Sequence, residues 1–397
     1  MEKKVMLLGG NYFQTTAIKA AKELGCHVIS VDYIPENPGH EYADEYYNIS
    51  TTDREKVLEL AVKLNIDGII SYASDVSAPT AAYVAEQMGL PTNPLSAVEI
   101  MTQKDRMRDF MRENGFLTPA GESFVDYKSG RAFFQQIKKP AMIKPVDASG
   151  SKGVSELYDI AAFETAWKMA KTYSRSGRII IEEFIERSGY QIAGDAFLVD
   201  GEIRFAALMN EHFDHSCNPL VPIGESYPSV LDKRLKERAL SEIQKLLSLL
   251  GMRMGPVNLD FLIDRYENVY ILEIGPRSGG NLITDVIRSS GDADLARYTV
   301  LSALGEKVEI SQNPDHGFVS SYLIHSLEHG IFKEIYVSDE IKKDIIQMDL
   351  WVKPGDKTSR FDNGSFGLGA ALIRYDSIDD MCQKMDHMEN YIRVINE

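Results

Sequence analysis

The stretch from Val257 to Asn281, VNLDFLIDRYENVYILEIGPRSGGN, constrains the fold more than any other. The runs Val257 to Ile263 and Val269 to Ile274 are rich in β-branched and aromatic residues. Asp264, Arg265, Glu267 and Asn268 surround the turn between them, so the stretch predicts a β-hairpin. Strict alternation puts Asn258 and Asp260 on one face and Leu259, Phe261 and Ile263 on the other, with Glu273 on a face with Ile271 and Val269. Asp260 and Glu273 can then meet across the strand pair. Two carboxylates beside Arg277 and the exit Ser278-Gly279-Gly280-Asn281 suit a divalent metal carrying a triphosphate. Magnesium takes hard oxygens and usually only one or two carboxylates, and an arginine can stabilise a transferring phosphoryl group. The same residues also describe an edge hairpin with solvated acids, so the rest of the chain must decide.

Before the hairpin, strands alternate with helices. Lys4 to Leu8 reads as a strand, Thr15 to Leu24 as a helix ended by Gly25, His27 to Asp32 as a strand, Asp53 to Leu64 as an amphipathic helix and Gly68 to Ala73 as a strand. That order predicts a parallel, doubly wound sheet. Gly9-Gly10 lacks the full dinucleotide-binding spacing, so the glycines need only let the chain turn. Asn11, Asp32 and Asp75 follow strand ends, where they can face a ligand or cap helices.

Charge limits what such a chain can bind. Across 397 residues the net charge is −16, which argues against an unaided nucleic-acid or anionic-membrane surface. Anionic substrates must be held by locally placed Lys and Arg. Cys26, Cys217 and Cys382 are far apart and form no CxxC pair, so neither a disulfide framework nor a zinc ribbon is suggested. The start Met1-Glu2-Lys3-Lys4 shows no signal segment and no run is long and apolar enough to span a bilayer. A cytoplasmic protein is the expectation.

The middle of the chain carries the phosphate-binding candidates. Thr102 to Glu113 predicts a helix with Lys104 near its start. Pro140 to Val146 predicts a strand in which Lys144 has no evident partner among apolar neighbours. The loop Asp147-Ala148-Ser149-Gly150-Ser151-Lys152-Gly153 follows. Its glycines and serines leave N–H groups free to close on phosphates and Lys152 adds charge, although neither the Walker A spacing nor a following helix is present. Ile179 to Ile181 then runs into Glu182-Glu183-Phe184-Ile185, a strand end able to offer a carboxylate, backbone groups and apolar flanks to a purine. Glu211 to Cys217, EHFDHSC, admits a transition-metal cluster, but His212 and His215 in an exposed, proline-bounded loop fit substrate contacts or no role better. Asn363 to Gly369 predicts a turn before a strand, and Ile378 to Ile395 a final helix packing Met381, Met385, Met388 and Ile392.

In this order the parts resemble the ATP-grasp superfamily from end to end. The resemblance implies a pre-ATP-grasp Rossmann-like domain (1–100), a two-subdomain α+β ATP-grasp domain (101–312) and a small β-rich C-terminal lid (313–397), with Asn313-Pro314-Asp315 as linker. It also implies ATP and magnesium as cofactors, with manganese admissible. Carried over, Lys104 and Lys144 bind phosphates, Ser149, Gly150, Ser151, Lys152 and Gly153 cover them, and Glu182, Glu183, Phe184 and Ile185 hold adenine. Gln191 stands where many members have a ribose-binding Glu, Asp260 and Glu273 take the metal, and Arg277 and Lys144 assist transfer. Glu273-Ile274-Gly275-Pro276-Arg277 departs from the common E-x-N, so a second metal would need Asn258 or Asn281. The implied reaction joins a small-molecule carboxylate to an amine through an acyl phosphate, and a homodimer is compatible with it. The same E-I-x-P-R run also resembles 5-(carboxyamino)imidazole ribonucleotide synthases, which activate bicarbonate, and the chain is similar as well to biotin carboxylase-like enzymes. A protein that kept the grip on ATP but lost chemistry is the third alternative.

Overall fold

The computed structural model describes residues 2–313 and 315–397. Met1, and Pro314 at the centre of the expected linker, lie outside the described residues. Four parallel strands open the chain: β1 (Lys4–Leu8), β2 (His27–Asp32), β3 (Glu45–Asn48) and β4 (Gly68–Ser71), in the order β3-β2-β1-β4. Alternation along β1 explains the double winding. Val5 and Leu7 pack on the helix Thr15–Glu23, whereas Met6 and Leu8 pack on the helix Arg54–Leu64. Asp53 caps the second helix by accepting from the Lys56 N–H. The strand expected to reach Ala73 stops at Ser71, because Ala73 turns to φ +50°.

A second, antiparallel sheet holds β5 (Gly121–Phe124), β6 (Ala141–Pro145), β7 (Ser155–Leu157) and β8 (Ile179–Glu183) in the order β5-β8-β6-β7. Phe134, Phe163 and Trp167 cover it from two helices. The segment expected as one helix from Thr102 is preceded by a separate helix, Leu95–Met101. The next helix, Lys104–Glu113, begins at Lys104 itself.

The remaining strands are β9 (Gln191–Val199), β10 (Glu202–Phe213), β11 (Pro222–Tyr227), β12 (Gly255–Ile263), β13 (Val269–Gly275), β14 (Phe318–Ile324), β15 (Gly330–Val337), β16 (Ile345–Leu350), β17 (Lys357–Thr358), β18 (Gly369–Tyr375) and β19 (Ile392–Asn396). Eight of them form one antiparallel sheet, β13-β12-β9-β10-β11-β14-β18-β16. Three strands from beyond residue 313 thus extend the sheet that carries the hairpin. The other three, β17-β15-β19, form a small sheet beside it. The helix Lys233–Leu250, capped by Asp232 and ended by Gly251 at φ +75°, buries Ala239, Ile243, Leu246 and Leu250 as their spacing predicts.

Two expectations need correction. The hairpin is present, with Asp260 opposite Glu273, but the next pair is Phe261 with Ile271. Leu272 is therefore the extra residue of a β-bulge. Val269 and Ile271 stay in the core with Phe261 and Ile263, whereas Glu273 is brought to the cavity side with Asp260. Strict alternation had put Glu273 on the core face. The final helix ends at Met385, and Ile392, Val394 and Ile395 lie in β19 against β15. β-branched residues favour that state. Met381, Met385, Met388 and Ile392 still share one core.

Gly194 lies in β9 between β10 and β12 at φ +146°, and a Cβ there would run into the Ala207 carbonyl of β10. Gly194→Ala should destabilise the protein by at least about 1–3 kcal/mol, the usual effect of overpacking. A urea midpoint equal to that of the wild type would contradict this packing.

Candidate active site

The nucleotide half of the site is built on a buried ion triad. Met142 pairs with Glu182 across β6 and β8, and Lys144 lies two residues further along β6 on the same face. Lys144 Nζ donates to Glu182 Oε1 at 2.6 Å, and Arg108 Nε donates to Oε2 at 3.0 Å. The expectation that Lys144 lacks a partner is thereby corrected. Burial alone would raise the Glu182 carboxyl, but Arg108 and then Lys144 outweigh it and hold it at about 2. Both oxygens that the family resemblance assigns to adenine are thus engaged by cations. Arg108 Nη1 also donates to the Leu272 carbonyl at 2.9 Å, tying the helix Lys104–Glu113 to the bulge of β13. The sequence reading missed Arg108. Its signal was its position one turn after Lys104 on one helix face.

Around this triad lies a cavity of about 410 Å³. Lys104, Lys144, Ser149, Gly150 and Ser151 line one part, and Glu182, Glu183, Phe184, Ile185 and Gln191 another. Lys104 spans the two parts, donating to the Ala148 carbonyl at 2.8 Å and pairing with Glu273 at 3.1 Å. Gly150, Ser151 and Gly153 all adopt positive φ, which curls the loop over the cavity. Gly153 is not among the lining residues. Lys152 lines the neighbouring cavity and has no ion pair among the described residues; burial pushes its ammonium down. The expected glycine-rich turn in the C-terminal part rests on this loop, with the Gly364 N–H donating to the Gly150 carbonyl at 3.2 Å.

A second cavity of about 800 Å³ adjoins the first. Ser149, Gly150, Ser151, Glu211, Asp260 and Glu273 line both, so they mark the junction. Burial, then Glu273, pushes the Asp260 carboxyl up to about 7, and Gln191 donates to its Oδ1 at 2.8 Å. Two hard-oxygen donors opposite each other fit a magnesium ion.

The flanking residues are less free than their sequence suggests. Arg277 directs Nε and Nη2 onto Asp75 at 2.8 and 2.5 Å, so its fork is taken by the first sheet's loop. A side chain at Gly275 would press on this pair, which explains why the asparagine of E-x-N is absent. Asn258 donates to the Gly194 carbonyl and to Asp195, and Asn281 donates to Glu225. Asp195, raised to about 6 by burial, accepts the Gly279 N–H on both oxygens. That part of the glycine-rich exit is therefore committed to the fold, while Gly280 and Asn281 line the cavity.

The EHFDHSC segment divides. His212 is buried, bonded to Asp386 and Ser226 at 2.8 Å each, contrary to the exposed loop expected, whereas His215 lines the nucleotide cavity. Asp214 and Cys217 cluster instead with His325 from the end of β14. Burial disfavours the imidazolium, but Asp214 outweighs it and holds His325 up to about 9. A protonated ring offers a metal no lone pair, so this is an ion pair under the sheet.

Residues 137–285, which hold the phosphate loop, the Glu182 strand and the Asp260/Glu273 hairpin, match the ATP-grasp domain family. Over its whole length the chain is 24% identical to a formate-dependent phosphoribosylglycinamide formyltransferase of Prochlorococcus marinus, covering 99% of it. Among solved structures it is similar to an L-amino acid ligase of Bacillus licheniformis, with a TM-score of 0.82 at 20% identity and coverage of 100% and 99% of the two chains. It is also similar to the biotin carboxylase domain of a Hydrogenobacter thermophilus 2-oxoglutarate carboxylase in complex with MgADP and bicarbonate, with a TM-score of 0.74, 18% identity and coverage of 100% and 91%. The ATP-grasp recognition, the mixed α/β fold class and the ATP-dependent enzyme class read from the sequence are borne out. Among the described residues no helix is long and apolar enough to cross a membrane.

Removing one partner of a buried ion network costs about 3–5 kcal/mol, because the remaining charges stay unpaired. Glu182→Gln should therefore lower the melting temperature at pH 7. The Glu182 carboxyl sits at about 2 against an ordinary 4.5, so its contribution is complete above about pH 4.5 and lost as pH falls toward 2. The wild-type advantage in melting temperature should shrink across that window, and a constant difference would argue against the assignment.

Proposed function

We propose that this protein is an ATP-dependent carboxylate–amine ligase. One observation carries the reading: a nucleotide-sized cavity and a larger acceptor cavity meet at the phosphate loop and the Asp260/Glu273 pair. A carboxylate is a poor electrophile. An oxygen of the carboxylate attacks the γ-phosphorus of ATP and ADP departs, leaving an acyl phosphate. The amine nitrogen then attacks the acyl carbon, the bond to phosphate breaks, and the nitrogen loses a proton, giving an amide and inorganic phosphate.

In this reading Lys144, Lys104 and Lys152 hold the phosphates, and the loop 149–153 excludes water from them. Glu183, Phe184 and Ile185 flank the purine, with Glu182 setting the position of Lys144, and Gln191 reaches the ribose. Asp260 and Glu273 would hold a magnesium ion, whose charge would offset that of the phosphates. Arg277, fixed by Asp75, keeps N–H groups for the acyl oxygens. Residues 1–100 and 313–397 close the acceptor cavity around the ATP-grasp segment 101–312. A small-molecule carboxylate and an amine are the substrates, and a cytoplasmic setting suits such metabolic work. The names of the formyltransferase and the amino-acid ligase support the reading, since each describes an acyl group joined to an amine.

The carboxylating alternative shares the E-I-x-P-R run, and product analysis separates the two. ADP release across a matrix of organic acids and amines should require one of each and yield an amide by mass spectrometry. Release sustained by bicarbonate and an aminoimidazole ribonucleotide alone would favour the alternative, and no release with any pair would leave an ATP-binding regulator. Asp260→Asn and Glu273→Gln should each reduce turnover at least a hundredfold without lowering the melting temperature. Near-normal turnover in either variant would remove that residue from the metal site.

A further inference from the structure

The acceptor cavity is rich in carboxyl groups. Among the described residues Glu36, Asp75, Glu211, Glu225, Asp260 and Glu273 line it, against two cations, Lys152 and Arg277. Arg277 is neutralised by its two bonds to Asp75, and Lys152 belongs to the phosphate loop. Asp260 and Glu273 would be matched by a bound magnesium ion. Glu211 and Glu225 remain. They lie directly opposite each other across β10 and β11, an arrangement that is destabilising for two like charges on one sheet face. Glu225, only 2% exposed, receives neutral donors alone, Asn281 Nδ2 at 3.0 Å and Ser321 Oγ at 2.9 Å. Glu211, 6% exposed, leaves its buried Oε2 with no hydrogen-bond partner among the described residues while lining both cavities. A buried acceptor without a donor calls for a donor from the ligand.

The outer wall of the same cavity is aromatic. Tyr12 and Phe13 meet Trp351 with ring centroids 5.0 and 5.6 Å apart, and all three line the cavity. Ring faces favour cations. A phosphoryl group on the substrate would instead bring about −1.5 to −2 charges into a space whose cations, among the described residues, are Arg277, paired with Asp75, and Lys152 of the phosphate loop.

Resting on the ligase reading, we infer that the amine substrate is an unphosphorylated, cationic amine whose ammonium is received between Glu211 and Glu225 and whose body lies against Tyr12, Phe13 and Trp351. The chain thus departs in substrate class from the formyltransferase relative, whose name specifies a phosphoribosyl amine.

Calorimetric titration of the full chain saturated with MgADP tests this without relying on turnover. 1,4-Diaminobutane and agmatine should bind at least tenfold more tightly than phosphoribosylglycinamide and O-phosphoethanolamine. Glu211→Gln and Glu225→Gln should each weaken the two cations at least fivefold without weakening the phosphorylated amines. Equal or tighter binding of the phosphorylated amines, no binding of the cations, or unchanged cation affinity in folded variants would overturn the inference. The ranking uses wild-type protein, so it decides even where a variant fails to fold. Amide formation from a phosphorylated amine would likewise overturn it while leaving the ligase reading intact, whereas absence of ADP release with every pair would remove the ligase reading.

Discussion

Glu182 between Arg108 and Lys144 is the interaction on which the nucleotide half depends. Three charges taken out of water together are tolerable only because each oxygen of the carboxylate faces a cation. The triad joins a helix, two strands of the second sheet and, through the Leu272 carbonyl, the bulge of the eight-stranded sheet. That bulge turns Glu273 toward Asp260. Loss of Glu182 would therefore loosen Lys144 and the metal-facing hairpin together, although the two lie on different sheets.

A chain of net charge −16 can hold a triphosphate only by concentrating its cations. Lys104, Lys144 and Arg108 stand within one cluster of acids, and Lys152 covers it from the loop. Across the junction carboxyl groups again outnumber the cations, and there the arginine is already paired.

The nucleotide half was largely legible in the sequence because its parts are local. A glycine-rich loop after a strand, a strand ending in acids, and a hairpin with opposed carboxylates each carry their signal within a dozen residues. What escaped depends on register or on distant partners. No period-two argument could foresee the extra residue at Leu272, and Arg108 meets its partner Glu182 only across a long separation in sequence. His325 joins Asp214 only because β14 lies beside β11 in the sheet. The run from Ile378 to Ile395 kept a helical apolar spacing, yet β15 offered Val394 and Ile395 a ladder, and tertiary pairing prevailed over periodicity.

The acceptor half was illegible for the same reason. Its walls come from Tyr12 and Phe13 in the first domain, Glu211 and Glu225 on neighbouring strands, and Trp351 near the C-terminus. They are held together by bonds between distant segments: Asp75 to Arg277, Thr16 to Asp285, Tyr72 to Thr284 and Tyr12 to Asp349. Gly275 is small because one of these bonds passes over it. Changing the acceptor cavity therefore means changing how the segments meet, whereas the nucleotide cavity is fixed within the ATP-grasp segment. In such an arrangement the larger cavity can change while the smaller one stays constant, since the two share only the few residues at the junction.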